Sequence, residues 1–226
     1  MYDAVVFDAD GVLVEPTAPA TLRGAIRRAL AEHGVDEPAD DVVDRLFAIT
    51  PEELRAIGAA HGIDDVAGFW RDRDRHASAA QRAAIRRGEK ALYDDVAAAV
   101  DLGVPLAVVS NNQQATVSFL LEHAGLADRF DPAIGRAPTL EAIERKKPAP
   151  DFLERALDAL DADRPLYVGD SNVDLAAAAA AGVDSAFVRR DHRADYALEH
   201  EPTHELDSLA ALPGLVGGRR RATADD

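Results

Sequence analysis

The stretch Ala4-Val5-Val6-Phe7-Asp8-Ala9-Asp10-Gly11-Val12-Leu13-Val14 decides the fold. Four apolar residues run into a carboxylate, a small spacer, a second carboxylate and a glycine. An unbroken apolar run of this kind reads as a strand buried on both faces, as in a parallel sheet. Such a strand must end in water or in a site, because an unpaired buried carboxylate is costly. In open α/β sheets, ligands sit in the crevice at the carboxyl ends of the strands, where Asp8 and Asp10 would emerge. Two carboxylates so close repel unless a cation lies beside them, and oxygen-only ligation with room for water suits Mg²⁺. A strand end followed by a plain Asp-Gly turn is the simpler alternative.

Outward from this stretch, only helices are expected over 21–91. Leu22, Ala25, Ile26, Ala29 and Leu30 form an apolar stripe at helical spacing that ends before Gly34, and Val42, Val43, Leu46 and Phe47 form a shorter one. Thr50-Pro51-Glu52-Glu53 is a helix start: Thr50 as N-cap, Pro51 at the first helical position, Glu53 closing a capping box. That helix carries Leu54 and Ile57 and should stop by Gly62. Another is expected over 65–87, with Val66, Phe69, Trp70, Ala77, Ala80 and Ile85 inward. Beyond Tyr93, expected strands at 105–110, 133–134, 166–170 and 185–188 alternate with expected helices at 94–102, 115–124, 150–160, 172–181 and 208–212. Alternation of this kind implies right-handed βαβ units. The expected fold is therefore α/β: a doubly wound parallel sheet of Rossmann type with an inserted small α-helical domain. The expected division is a sheet domain over 1–16 and 92–216, a helical insertion over 17–91, and a flexible tail over 217–226 that holds Arg219, Arg220 and Arg221.

Composition narrows the function. The 226 residues suffice for one sizeable core, with a substantial insertion. No run of 18 apolar residues and no basic-then-apolar leader is present, so neither membrane insertion nor export is indicated and a cytoplasmic location is expected. Cysteine is absent, which removes disulfides, thiolate metal sites and Cys nucleophiles together. The excess of 41 acidic over 25 basic residues, a formal charge of −16, would repel nucleic acid and anionic membranes. Only three of the basic residues are lysines: Lys90, Lys146 and Lys147. Such a balance resembles proteins of salt-loving archaea, although a GC-rich genome also favours Ala and Arg. No nucleic-acid or membrane partner is expected, and the expected assembly is a monomer or homodimer.

The ends of three expected strands carry the chemistry. The first gives Asp8 and Asp10, the second gives Ser110 followed by Asn111, and the later one gives Asp170, with Asp174 on the next helix. Lys147 lies between them in Lys146-Lys147-Pro148-Ala149-Pro150. Taken together, D-x-D-G-V-L, S-N, K-P-x-P and G-D-S-x-x-D resemble the haloacid dehalogenase-like (HAD) superfamily of phosphatases and phosphomutases. The resemblance covers the sheet domain to about Val188, and the helical block resembles the family's cap. It implies Asp8 as nucleophile, which splits a hard hydrolysis into two displacements. It implies Asp10 as the acid that protonates the leaving oxygen and then the base that activates water. Mg²⁺ would bridge Asp8, the Asp10 carbonyl oxygen and Asp170. Ser110 and the Asn111 amide, at a helix start, would hold phosphate oxygens, and Lys147 would bind the transferring group. Asp174 would orient metal waters or Lys147, and Gly11 supports the first motif. The family places its lysine directly before Pro, which favours Lys147 over Lys146. Bland alternatives stand beside these: Ser171-Asn172-Val173-Asp174 also reads as a capping box, and Ser110-Asn111-Asn112 as a polar loop.

Asp10 separates the branches. Dehalogenases and phosphonate-cleaving members lack an acid there, and the latter use a cap lysine; here the cap has only Lys90, at its far edge. Phosphoesters are therefore favoured and the expected partner is a small phosphorylated substrate, phosphoglycolate or a sugar phosphate among the choices, although Glu15-Pro16 replaces the Asp-Ser common in phosphoglycolate phosphatases. A phosphomutase keeps both Asp residues and is an alternative; a non-catalytic binding protein would need a broken site, and none of these residues is missing. Arg23, Arg27, Arg71, Arg73 and Arg75 of the cap are candidates for a second anionic group or for a solvated helix face. One motif is rejected. His200-Glu201-Pro202-Thr203-His204 matches H-E-x-x-H, but Pro202 would break the helix that this zinc site needs. The remaining histidines, His192 among them, are expected at the surface or in the cap.

Overall fold

The first strand, β1 (Ala4–Phe7), is buried along its whole length because strands flank it and helices cover both its faces. A computed structural model describes residues 1–217. After β1 come α1 (Pro19–Glu32), α2 (Asp40–Arg45), α3 (Pro51–His61), α4 (Val66–Arg86) and α5 (Val96–Val100). Then follow β2 (Leu106–Gln113), α6 (Gln114–His123), β3 (Ala133–Arg136), α7 (Leu140–Glu144) and α8 (Asp151–Leu160). The described chain ends with β4 (Pro165–Gly169), α9 (Asn172–Ala180), β5 (Asp184–Val188) and β6 (His204–Leu206).

The sheet has six parallel strands in the order β3-β2-β1-β4-β5-β6. The chain leaves β1 for β2 on one side and reaches β4 on the other, so the strand order reverses at β1, where a crevice opens. In register, Phe7 pairs with both Val108 and Val168. Alternation along the strands sorts their side chains. Val5, Phe7, Leu106, Val108, Leu166 and Val168 join a core with Val96, Val117, Leu120 and Leu212. Val6, Ala107, Val109 and Tyr167 face the opposite way onto Phe152, Leu153 and Ala156 of α8. The result is a three-layer doubly wound fold, as expected.

The helical block has its own apolar cluster, in which Ile26, Leu30, Val43, Leu46, Leu54, Phe69 and Trp70 are buried. Thr50 and Glu53 form the capping box, and Gly62 ends α3 in the left-handed conformation. The separation is not complete. Ile143 of α7 packs into the helical cluster, and Ile85 of α4 belongs to the sheet's core. The two segments joining the parts run side by side: Val14 and Leu92 form an antiparallel bridge, and the Glu15 amide donates to Ala91 O at 2.9 Å.

Several expectations need correction. β2 continues to Gln113, so Asn111 lies in extended chain and α6 begins three residues after it. The extension exists because β2 pairs with β3 again at Gln113 and Arg136 after a register shift. α5 is shorter than the expected 94–102. The final expected helix is a 3₁₀ segment, Leu209–Gly214, capped by the Ser208 hydroxyl; Pro213 lies inside it. α7 and β6 were not expected, and five and three residues are too few to show a period. β6 takes His204 out of any shared helix with His200. Of the expected tail, the Gly217 amide donates to Tyr2 O at 3.0 Å; the rest, with Arg219 to Arg221, lies outside the described residues. Among the described residues no helix is long and apolar enough to cross a membrane.

Asp95 ties three segments together just beyond the carboxyl ends of β5 and β6. Its carboxylate accepts both Nη groups of Arg190 at 2.8 and 3.0 Å, the Ser208 hydroxyl at 2.7 Å and the Leu209 amide at 2.9 Å. Arg190 also donates to Val12 O at 2.6 Å and lies over the Tyr93 ring. Burial opposes ionisation of Asp95, but Arg190, Ser208 and the Leu209 amide outweigh it and hold the carboxyl below its usual value. A carboxyl lowered by folding stabilises above its unfolded pKa and loses that contribution as pH falls through the folded value. Asp95→Ala should therefore cost about 2–4 kcal/mol in urea unfolding at neutral pH. The gap between variant and wild type should narrow below about pH 4.

Candidate active site

Asp8 follows β1 directly, between the ends of β2 and β4. Beyond it the chain turns tightly, with the Leu13 and Val14 amides donating to Ala9 O at 2.9 and 3.0 Å. Gly11 makes that turn possible at φ +83°. A Cβ at Gly11 would lie 2.6 Å from Asp170 Cγ, so the glycine also makes room for the carboxylate at the end of β4.

Lys147 is fully buried, and its ammonium is ringed by oxygens: Asp174 Oδ1 at 2.7 Å, Asp8 Oδ1 at 2.9 Å, the Tyr167 hydroxyl at 2.6 Å and Val109 O at 3.0 Å. Burial disfavours its charge, but Asp174 and Asp8 more than compensate and raise its pKa. Lys146 points elsewhere, its Nζ 3.5 Å from Ile49 O. Asn111 braces the Lys147 backbone from both sides, accepting its amide and donating to its carbonyl, each at 2.8 Å. The role expected for the Asn111 amide rested on a helix start that is not there. Ser110 is buried, and its Oγ accepts the Asn112 amide at 3.2 Å.

Asp174 is fully committed to protein partners. Oδ1 takes Lys147 and Tyr167, and Oδ2 takes the Asp170 amide at 3.2 Å and the Ser171 hydroxyl. Ser171 makes no side-chain cap to the backbone, so the capping-box alternative does not form. Asp170 instead meets His192 Nε2 and Arg193 Nε, each 2.9 Å from its Oδ2. His192 is thus more than the surface residue expected of it.

Asp10 is the more open of the first two carboxylates, its side chain 28 % exposed against 12 % for Asp8. Its Oδ2 accepts Asn112 Nδ2 at 2.7 Å, and its Oδ1 pairs with the buried ammonium of Lys90. Lys90 donates in addition to Thr17 Oγ1 at 2.7 Å and to Gln81 Oε1 at 2.9 Å. Gln81, from α4, reaches back to Asn112 Oδ1 at 2.9 Å. Lys90 is therefore inside the site rather than at a far edge of the cap. Its one sequence signal is that it is one of three lysines in an arginine-rich chain. Of the cap arginines, Arg23, Arg27, Arg71 and Arg75 pair with acidic residues on the surface. Only Arg73 is buried, and it lines a cavity of about 610 Å³ that also touches Asp10, Asn112 and Lys147.

A family model for haloacid dehalogenase-like hydrolases matches residues 2–182. The chain belongs to that family. It is 32 % identical over 213 residues to a phosphoglycolate phosphatase of Cereibacter sphaeroides, covering 89 % of each chain. A phosphoglycolate phosphatase of Rhodospirillum rubrum is also 32 % identical, covering 94 % of this chain and 87 % of its own. Among solved structures, CbbY from Rhodobacter sphaeroides in complex with phosphate is 26 % identical with a TM-score of 0.69, covering 94 % of this chain and 96 % of that one.

The donor chemistry of this HAD hydrolase fits a hard divalent cation. Asp8, Asp170 and Asp174 each offer an oxygen, and these atoms lie within 4.8 Å of one another. Burial, with Asp174, Asp170 and Asp10 nearby, lifts the Asp8 carboxyl to about 8 despite Lys147, so the cluster is short of positive charge. Because Asp174 is occupied, Asp8 and Asp170 are the better candidates to hold a cation. Gly34, at φ +82° with open space around it, serves as the control for Gly11. Gly34→Ala should cost about 1 kcal/mol, the backbone penalty alone. Gly11→Ala should cost about 2–4 kcal/mol in the same urea titration, because it also displaces Asp170.

Proposed function

We propose that the protein is a Mg²⁺-dependent phosphatase that hydrolyses a small phosphate monoester, of phosphoglycolate or sugar phosphate type, through an aspartyl-phosphate on Asp8. The observation that carries the reading is the pair of differently held carboxylates at the end of β1. Asp8 lies deep against Lys147, and Asp10 lies at the cavity under Lys90 and Asn112. The identity to phosphoglycolate phosphatases supports the substrate type.

An Asp8 oxygen attacks phosphorus, the ester P–O bond breaks, and the departing oxygen takes a proton from Asp10. Asp10 then removes a proton from water; the water oxygen attacks phosphorus, the Asp8–phosphorus bond breaks and phosphate leaves, with Asp8 again a carboxylate and Asp10 protonated for the next turnover. Lys147 balances Asp8 and faces the transferring group, and Asp174 and Tyr167 keep that ammonium in place. Lys90 and Asn112 orient Asp10, one on each oxygen. Bound beside Asp8 and Asp170, Mg²⁺ would supply charge neutralisation between nucleophile and phosphate. Residues 17–91 act as the cap that encloses the substrate, and the cavity is of a size for a small molecule.

The test is phosphate release from a panel of small phosphoesters with Mg²⁺, in low and molar KCl, for wild type and Asp8→Asn. Turnover by wild type that needs Mg²⁺ and falls by about 10³-fold or more in Asp8→Asn is expected. Higher activity in molar KCl is expected from the acidic, lysine-poor composition. No release from any ester by folded wild type, or equal activity in Asp8→Asn, would overturn the reading.

A further inference from the structure

The cavity that touches Asp10 and Lys147 has a second polar wall, built from Arg73 of α4, Arg136 of β3 and Lys146. Arg73 and Arg136 are buried, and both guanidinium groups lie 4.8 Å from the centre of the Trp70 ring. They converge on one oxygen: Asp74 Oδ1 accepts Arg73 Nη1 at 3.0 Å, Arg136 Nη2 at 2.7 Å and Gln113 Nε2 at 3.3 Å. Arg73 also donates to Leu46 O at 2.9 Å, and Arg136 to Ala137 O at 3.2 Å. Lys146 adds a third cation whose nearest acceptor is Ile49 O. Three cations therefore share one buried carboxylate. Among the described residues, Arg73 Nε and Trp70 Nε1 have no acceptor, and Asp74 Oδ2 has no donor.

Surplus positive charge in a water-poor wall is expensive, and each unpaired buried donor adds to the cost. A structural ion pair would need only one arginine for Asp74. The excess is felt locally: burial, Arg136 and Arg73 together push Lys146 down to about 8, and Asp74 and exposed Glu53 offset this only in part. An anion in the cavity would relieve the imbalance, and arginine is well suited to carboxylate or phosphate oxygens. The reaction centre opens onto the same cavity from the other side through Asp10, Asn112 and Lys147.

We propose that Arg73 and Arg136, stacked on Trp70, together with Lys146 on the same cavity, form a second anion subsite that holds a carboxylate or phosphate at the end of the substrate remote from the bond that breaks. The proposal rests on the phosphatase reading and deepens it: the substrate class is a small phosphoester with a second anionic group. Arg73 comes from the helical block and Arg136 from the sheet, so an anion held by both guanidinium groups touches both parts of the chain. Asp74 is the residue that positions the two guanidinium groups.

The test compares kcat/KM for three phosphoesters of similar length, ending in a carboxylate, a phosphate and a neutral hydroxyl, in wild type, Lys146→Met and Arg136→Gln. Wild type should prefer one anion-tailed ester over the neutral one by about tenfold or more, and the better of the two identifies the anion. In Lys146→Met that preference should fall by about tenfold, mainly through KM. Lys146 has no carboxylate partner to strand, so this variant should fold even if Arg136→Gln does not. Absence of any preference in wild type, or an unchanged preference in Lys146→Met, overturns the subsite and leaves the phosphatase reading intact. If no ester is cleaved, the phosphatase reading fails, and titration with phosphonoacetate decides the subsite. Weaker binding to Lys146→Met than to wild type supports the subsite, and equal or absent binding overturns it.

Discussion

The ammonium of Lys147 is the point on which the carboxyl end of the sheet depends. Four aspartates gather there, and a cluster of buried carboxylates with no cation would either protonate or pull apart. Lys147 reaches Asp8 and Asp174 at once and is itself held by Tyr167 and Val109 O. Three structural features serve this one contact. Asn111 fixes the lysine's backbone, Tyr167 fills a strand position where an aliphatic residue could not offer a hydroxyl, and Asp174 arrives on the first turn of α9. Removing any of them leaves a polar group of this network short of a partner in a dry place.

The interior and the surface treat charge differently. On the helical block, Arg23, Arg27 and Arg75 pair with Asp44, Asp40 and Glu32 in solvent, where water and salt screen such pairs. Inside, Lys90, Lys147, Arg73 and Arg136 are themselves buried and paired with carboxylates, where the loss of a partner is far more damaging. A strongly acidic chain has thus placed two of its three lysines in its interior.

The sheet and the motif residues at its rim were legible because each motif abuts an apolar strand. A carboxylate directly after Val-Val-Phe or Val-Gly has few places to go except the strand's end. Lys147 follows no apolar strand, and the resemblance to a family pattern with its lysine directly before proline, here Pro148, is what distinguishes it from Lys146. What stayed illegible depends on contacts across long sequence distances. Nothing local in Gly-Glu-Lys ties Lys90 to Asp10, eighty residues earlier, or brings Gln81 to Asn112. Arg136 ends a strand of four residues whose continuation depends on pairing with Gln113 rather than on its own pattern. Asn111 was placed at a helix start because polar residues after an apolar strand usually close it; here the neighbouring strand holds the chain extended.

Seen from the sheet, everything between Glu15 and Ala91 is a single connection whose two ends lie within one backbone hydrogen bond of each other. Closing a connection of that length costs little more entropy than closing a short one, since the penalty grows only with the logarithm of its length. The bridge at Val14 and Leu92 fixes where the chain leaves and returns, so the length of what hangs from it need not alter the register of β1 and β2. The helical block is in this respect a graft on a preset stem, and the stem brings Lys90 and Thr17 together over Asp10.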